Sequence, residues 1–211
     1  MFFNFCKRDK LISSIIEYGK LCGENNYTPG YSGNISARYN EGMLITTSGS
    51  CNGYLKPKDI VYTDFNGNAI EKGKKPSSEK FLHIEIYKRR PEINAILHVH
   101  SPFLCSFAAA GKDLLEPVLA ENIYYFGGIP LAKYAMPSSM ELVENTIKYF
   151  DKYDAVLMEN HGFIVASKTI TDAYYKLELA EAYAQVVINT QILGGARLLT
   201  PEEAESILAL R

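Results

Sequence analysis

The sequence predicts a layered α/β domain, and three observations carry that reading. Apolar residues at helical spacing alternate with short β-prone runs along the chain. Several of those runs are joined by tight turns, which favours hairpins over the long crossovers of a regular doubly wound sheet. No internal repeat, low-complexity segment or long linker divides residues 1–211, and with 47% of them apolar a single domain can bury a polar site.

The elements follow in order. Over residues 7–24 the positions Leu11, Ile12, Ile15, Ile16 and Leu21 make an amphipathic helix, which Gly23 and Asn25-Asn26 stop. Strands are expected at 35–39, 43–47 and 60–65, separated by Asn40-Glu41-Gly42 and by a loop containing Gly and Pro. Asn66-Gly67-Asn68 is a tight-turn signal. A second helix should run from 78 to about 90, capped by Ser77 or Ser78 and ended by Pro91. Residues 94–100 read as a buried strand, with Pro102 opening another helix. The pattern then repeats: a helix over 139–150, a strand over 155–159, a turn at Asn160-His161-Gly162 and a strand over 163–167. A long helix over 169–194 is capped by Thr169 or Thr171, and a short terminal one is capped at Thr200 and opened by Pro201.

Charge excludes several partners. A formal charge of -2, with both signs mixed along the chain, provides no electrostatic footprint for nucleic acid or an anionic membrane, and a small molecule is the better expectation. Cys6, Cys22, Cys51 and Cys105 are scattered and form no C-x-x-C pair, as expected of reduced thiols in a cytoplasm. The amino terminus lacks the features of a secretion signal, and no run approaches the roughly 18 apolar residues of a membrane span. A cytoplasmic protein is expected.

Residues two apart on a strand project to one face, so His98 and His100 can present two imidazoles side by side. Zinc accepts such nitrogens and, in a catalytic site, needs a third ligand, which His161 can supply from its turn. An isolated His-x-His can equally be two hydrogen-bonded rings. Here three of the four histidines fall at ends of buried strands, where an unpaired ring nitrogen is costly. His83, one turn after Glu79, reads more simply as a histidine bonded to a nearby carbonyl or carboxylate than as a ligand. Glu79 follows Pro76-Ser77-Ser78 at a helix start, a place suited to a cap but also to anions. The loops 30–36 and 46–50 are likewise small-residue segments able to bring amides and hydroxyls close to phosphate oxygens.

Gly33-Asn34-Ile35-Ser36, Leu44-Ile45-Thr46-Thr47-Ser48-Gly49, Pro76-Ser77-Ser78-Glu79, His98-Val99-His100-Ser101-Pro102 and Asn160-His161-Gly162 occur in that order. In this ordered set the chain resembles the class II aldolase/adducin family over nearly its whole length. The resemblance implies one three-layer α/β/α sandwich with a mostly antiparallel central sheet over residues 1–211, assembled as a homotetramer with active sites between subunits. It implies one zinc ion per subunit on His98, His100 and His161, with Glu79 as the acid/base residue and a further ligand when substrate is absent. Asn34, Ser48, Gly49, Ser77 and Ser78 match the phosphate-binding positions. The implied reaction is cleavage of a phosphorylated ketose, such as L-fuculose 1-phosphate, to dihydroxyacetone phosphate and lactaldehyde through a metal-held enediolate. The chain departs from the pattern at one place: the tyrosine that a neighbouring subunit supplies as proton donor aligns with Glu121, while Tyr124 and Tyr125 follow three and four residues on. Glu121 and the nearby tyrosines, Tyr124 first and Tyr125 beside it, are the candidates for that second role. An acidic residue there also suits the decarboxylases and the dehydratase of the superfamily. A 4-epimerase would need a further catalytic pair that the sequence does not display, and the non-catalytic adducin heads lack the three histidines kept here.

Overall fold

The computed structural model describes residues 2–71 and 73–211, with side chains described from Lys7 onward apart from Lys72. Seven strands form one sheet: β1 (Asn34–Tyr39), β2 (Gly42–Thr46), β3 (Ile60–Asp64), β4 (Ala95–Val99), β5 (Leu131–Ala132), β6 (Ala155–Met158) and β7 (Gly162–Ser167). Their order across the sheet is β3-β2-β1-β4-β7-β6-β5. Every neighbouring pair is antiparallel except β5 with β6. The helices are α1 (Phe2–Glu24), α2 (Lys80–Arg89), α3 (Pro102–Ala109), α4 (Ala120–Phe126), α5 (Met140–Ile147), α6 (Ile170–Ile192) and α7 (Pro201–Leu208).

Strand alternation sorts the core into two layers. Ile35, Ala37, Leu44, Leu97, Val99 and Val165 face one way and pack on α1, α3 and α6. Their sequence neighbours Met43, Ile45, Ile96, Ile164 and Ala166 face the other way and pack on α2 and α5. Both faces of the sheet are thus covered, which is the three-layer sandwich with a mostly antiparallel sheet that the motifs imply.

The strand readings agree with the structure to within a residue or so at each end, as does the terminal helix. Three differences have physical causes. α2 begins at Lys80 and not at Ser78, because Ser77 N–H donates to Thr46 O (3.0 Å) and holds the preceding segment extended against the end of β2. Ser77 still serves the helix start: its Oγ accepts from the Glu79 amide at 3.3 Å. The helix expected over 139–150 tightens into a 3-10 turn at Lys148–Asp151. The short α4 and two-residue β5 carry no periodicity long enough to read, and α4 has no side-chain cap.

One long-range cap fixes α3. Glu181, buried on α6, accepts from Ser101 Oγ (2.7 Å) and from the amides of Phe103 (2.9 Å) and Leu104 (3.0 Å). A carboxylate borrowed from another helix therefore satisfies the first turn of α3, where Ser101 makes no side-chain cap of its own. Glu181→Ala would leave those donors buried without an acceptor, at a cost of about 3 kcal/mol. Thermal denaturation should show a melting temperature lower by roughly 6–12 °C; a change of only a degree or two would contradict this role.

Candidate active site

Antiparallel pairing gathers the chemistry at one end of the sheet. His98 lies opposite Ile164 near the end of β4, so the segment leading into β7, which carries His161, arrives beside it. Asn34, the first residue of β1, is paired with His98. β2 runs against β1, so its exit at Thr46 reaches the same end. Side-chain alternation then puts His98 on the face of Ile96, the α2 side, where Glu79 waits at the helix start.

The turn carrying His161 is shaped by two backbone requirements. Asn160 adopts a left-handed conformation (φ 51°), which asparagine tolerates better than most residues. Gly162 follows where a Cβ would come within 2.6 Å of Val99 O and 2.8 Å of His100 Cδ2. Only glycine lets β7 start this close to His98 on β4 and to His100 just beyond its end.

The ring nitrogens of His98, His100 and His161 available as ligands all lie within 4.8 Å of one another. Glu79, itself buried, spans the cluster: Oε2 is 3.1 Å from His98 Nε2 and Oε1 is 3.2 Å from His161 Nε2. Asn34 Nδ2 donates to Glu79 Oε2 at 3.0 Å. His98 Nδ1 is 3.0 Å from the Phe163 carbonyl, which can only accept, so Nδ1 carries the hydrogen and a neutral His98 presents a lone pair at Nε2. That lone pair faces His100 Nε2 at 3.0 Å and a carboxylate oxygen at 3.1 Å. Such a cluster calls for a cation. A proton on His98 is one answer; a divalent ion shared by the three rings is the other, and the donor set of three imidazoles and one carboxylate fits it.

Burial alone would raise the Glu79 carboxyl, but His98 and His161 outweigh it and hold the group far below the usual carboxylate range. Burial lowers His98 as well, yet the facing carboxylate wins and the ring is raised above its ordinary value. His100 is pulled down to about 3, first by burial and then by His98 and His161. His83 falls outside the cluster. Its Nδ1 pairs with Ser36 Oγ at 2.7 Å, so its bond is to a hydroxyl and not to the carbonyl or carboxylate expected.

The phosphate-position residues converge in part. Loop 46–50 and the segment before α2 run side by side, with Ser48 N–H donating to Lys75 O at 2.9 Å and Thr47 bridged to Pro76. Ser48, Gly49 and Ser78 are exposed on these abutting segments, and Gly49 (φ 77°) has open space where a side chain would stand. Ser77 is buried beneath them, and Asn34 is engaged with Glu79.

Glu121, Tyr124 and Tyr125 lie elsewhere. Glu121 is exposed on α4. Tyr124 and Tyr125 border a cavity of about 350 Å³ with Arg90, Asp154, Lys176 and Arg211. Asp154 precedes β6, so this is the end of the sheet opposite the histidines. Sequence reasoning did not find Glu181, whose cap follows directly on His100, because a pair 80 residues apart leaves no local signal.

Residues 13–188 match the family described as Class II Aldolase and Adducin N-terminal domain. The chain belongs to this family. It is 36% identical over 175 residues to an L-fuculose phosphate aldolase of Methanococcus maripaludis strain C7, covering 82% of this chain and 94% of that one. It is 33% identical over 208 residues to a 5-methylthioribulose-1-phosphate/5-deoxyribulose-1-phosphate aldolase of Escherichia coli O45:K1, covering 97% and 95%. A solved L-fuculose 1-phosphate aldolase superimposes with a TM-score of 0.89 at 30% identity, covering 95% of each chain. The protein is accordingly a lyase of the class II aldolase family, which is metal-dependent, and it carries a three-histidine cluster suited to a metal.

The buried histidines of this class II aldolase make its metal-free form acid-sensitive. Burial, then the charge of His98, also lowers His83 to about 3. The ordinary histidine value is 6.5, so below it the unfolded chain takes up a proton at His83 and at His100 while the folded chain does not. Their stabilisation is present above that pH and declines as pH falls toward the folded values. His98, raised when folded, contributes with the opposite sign, but its share is already complete below 6.5. Glu79 adds no slope until the pH nears its unfolded value of 4.5. The melting temperature of metal-free protein should therefore fall between pH 6.5 and about pH 5. A flat or rising profile would contradict the neutral state of the two rings, His83 buried and His100 half-buried.

Proposed function

We propose that the chain is a zinc-dependent aldolase that cleaves a phosphorylated ketose such as L-fuculose 1-phosphate to dihydroxyacetone phosphate and lactaldehyde. The observation that carries this is the clustering of His98, His100 and His161, two of which, His98 and His161, lie against the buried carboxylate of Glu79. The three rings would hold the ion, with Glu79 as a further oxygen donor when substrate is absent. When bound, the ion would supply Lewis-acid stabilisation for the negative charge that grows on the ketose oxygens as the carbon–carbon bond breaks.

Cleavage leaves an electron pair on the carbon next to the ketose carbonyl, and Glu79 delivers a proton there to complete dihydroxyacetone phosphate. The same residue removes that proton in the condensation direction. Without substrate, burial favours the protonated carboxyl but His98 and His161 outweigh it and hold Glu79 ionised, the form that accepts the proton in the condensation direction and that must first take one up before it can deliver it in cleavage. The substrate phosphate would lie against Ser48, Gly49, Ser77 and Ser78, with Asn34 turning from Glu79 toward it. The abutment of the two loops beside Glu79 supports this placement.

The hydroxyl that becomes the aldehyde must lose its proton to a second group. Tyr124 borders the cavity at the end of the sheet away from the histidines, so the reading has Glu121 or Tyr124 of another copy serve this site. A homotetramer with sites between subunits, in the cytoplasm where such sugar phosphates are handled, would let one copy supply them to another. Glu121 standing where a phenol is expected favours a second reading, decarboxylation or dehydration of a related phosphorylated sugar on the same scaffold.

Zinc-loaded protein offered L-fuculose 1-phosphate, and in parallel 5-deoxyribulose 1-phosphate, should release dihydroxyacetone phosphate in a coupled assay. Glu79→Gln should lower kcat by about 10²–10⁴-fold. No release from either ketose by a sample with full zinc occupancy would overturn the aldolase reading in favour of the second one.

A further inference from the structure

The α2-facing side of β1 is polar, whereas the neighbouring strands turn mainly apolar residues toward that helix layer. Asn34, Ser36 and Arg38 alternate along it, and each finds a partner on α2. Asn34 donates to Glu79. Ser36 Oγ lies 2.7 Å from His83 Nδ1 and 2.8 Å from Tyr87 OH. Arg38 Nη2 donates to Tyr87 O at 2.7 Å and to Arg90 O at 3.2 Å. Glu79, His83 and Tyr87 are spaced four apart, so they form one face of the helix lying along alternate residues of one strand.

Ser36, His83 and Tyr87 are essentially shielded from solvent, with exposures of 0%, 0% and 1%. Apolar side chains of similar volume would fill the same space with no polar groups to desolvate. What they would not do is fix the height of the helix along the strand. Directional bonds at successive turns specify that register, whereas an apolar contact tolerates sliding.

The Tyr87 phenol has Ser36 Oγ as its one hydrogen-bond partner among the described residues, and the same Oγ pairs with His83 Nδ1, so the serine joins the two rings in one chain of hydrogen bonds. The Nε2 atom of His83 is buried without a partner, and His83 is absent from the metal-suited cluster. Among the described residues its one hydrogen bond is therefore the one to Ser36.

We propose that His83 is a positioning residue for the reaction: its bond to Ser36 sets the register of α2 on β1 and thereby holds the Glu79 carboxylate between His98 and His161. The inference rests on the reading of Glu79 as the proton-moving residue at a metal centre. A carboxylate carried at the very start of a helix moves with any axial slip of that helix, and a displacement of about 1 Å can cost on the order of a hundredfold in rate.

The test uses full-length protein loaded with Co²⁺, whose visible absorption reports the ligand set, together with turnover and thermal melting. His83→Leu keeps the bulk and removes the bond; His83→Asn places an amide where Nδ1 stood. His83→Leu should shift the cobalt spectrum toward that of Glu79→Gln and lower kcat by about a hundredfold with KM little changed. His83→Asn should restore the wild-type spectrum and most of the turnover. Should His83→Leu not fold, Ser36→Ala removes the same bond from the strand side and should give the same spectrum and kcat loss. A wild-type spectrum and kcat in His83→Leu, or an equal loss in His83→Asn, would overturn the inference. If Glu79→Gln itself changed neither spectrum nor turnover, the reading of Glu79 would fail first, and the inference with it.

Discussion

Glu79 is a carboxylate in a place that should reject one. Burial pushes it toward the neutral acid, and the imidazoles of His98 and His161 pull it the other way strongly enough to keep it ionised. The pull is mutual, since Glu79 in turn raises His98 against the same burial. Around this exchange the rest of the site is arranged. The Phe163 carbonyl sets the tautomer of His98, Asn34 holds one carboxylate oxygen, and Gly162 lets the strand that follows His161 approach within contact. A divalent ion among the three rings would meet the same demand for positive charge that a proton on His98 meets without it.

That arrangement depends on elements far from it in sequence. Antiparallel pairing aligns the end of β4 with the starts of β1 and β7, so three separate segments deliver their polar residues to one sheet end. α6 then reaches across with Glu181 to cap α3, the helix that begins two residues after His100. On the other face, the polar ladder from β1 fixes α2 and with it Glu79. The histidines are held from one layer and the acid from the other, which is what a three-layer fold makes possible.

Much of this was legible in the chain because it is local. Period-two and helical apolar patterns marked most strands and helices, and the spacing of His98 and His100 marked a shared face. His161 and Glu79 stood out by their turn and helix-start contexts. What the sequence did not reveal depends on partners distant along the chain. Ser36 looks like an ordinary strand serine until His83 and Tyr87 arrive, and Glu181 like a surface acid on a long helix. α4 and β5 were missed for a different reason: seven and two residues hold too little periodicity to read. The placement of Tyr124 at the opposite sheet end is a property of topology, which one sequence position cannot express.

The central claim is that His98, His100 and His161 form a metal centre. Crystals of zinc-loaded protein, with anomalous data collected on both sides of the zinc absorption edge, test it most directly. The account predicts one strong anomalous peak per chain, in bonding range of all three imidazoles at about 2.0–2.1 Å. A map with full zinc in solution but no peak among these rings, or a peak on other residues, would contradict it.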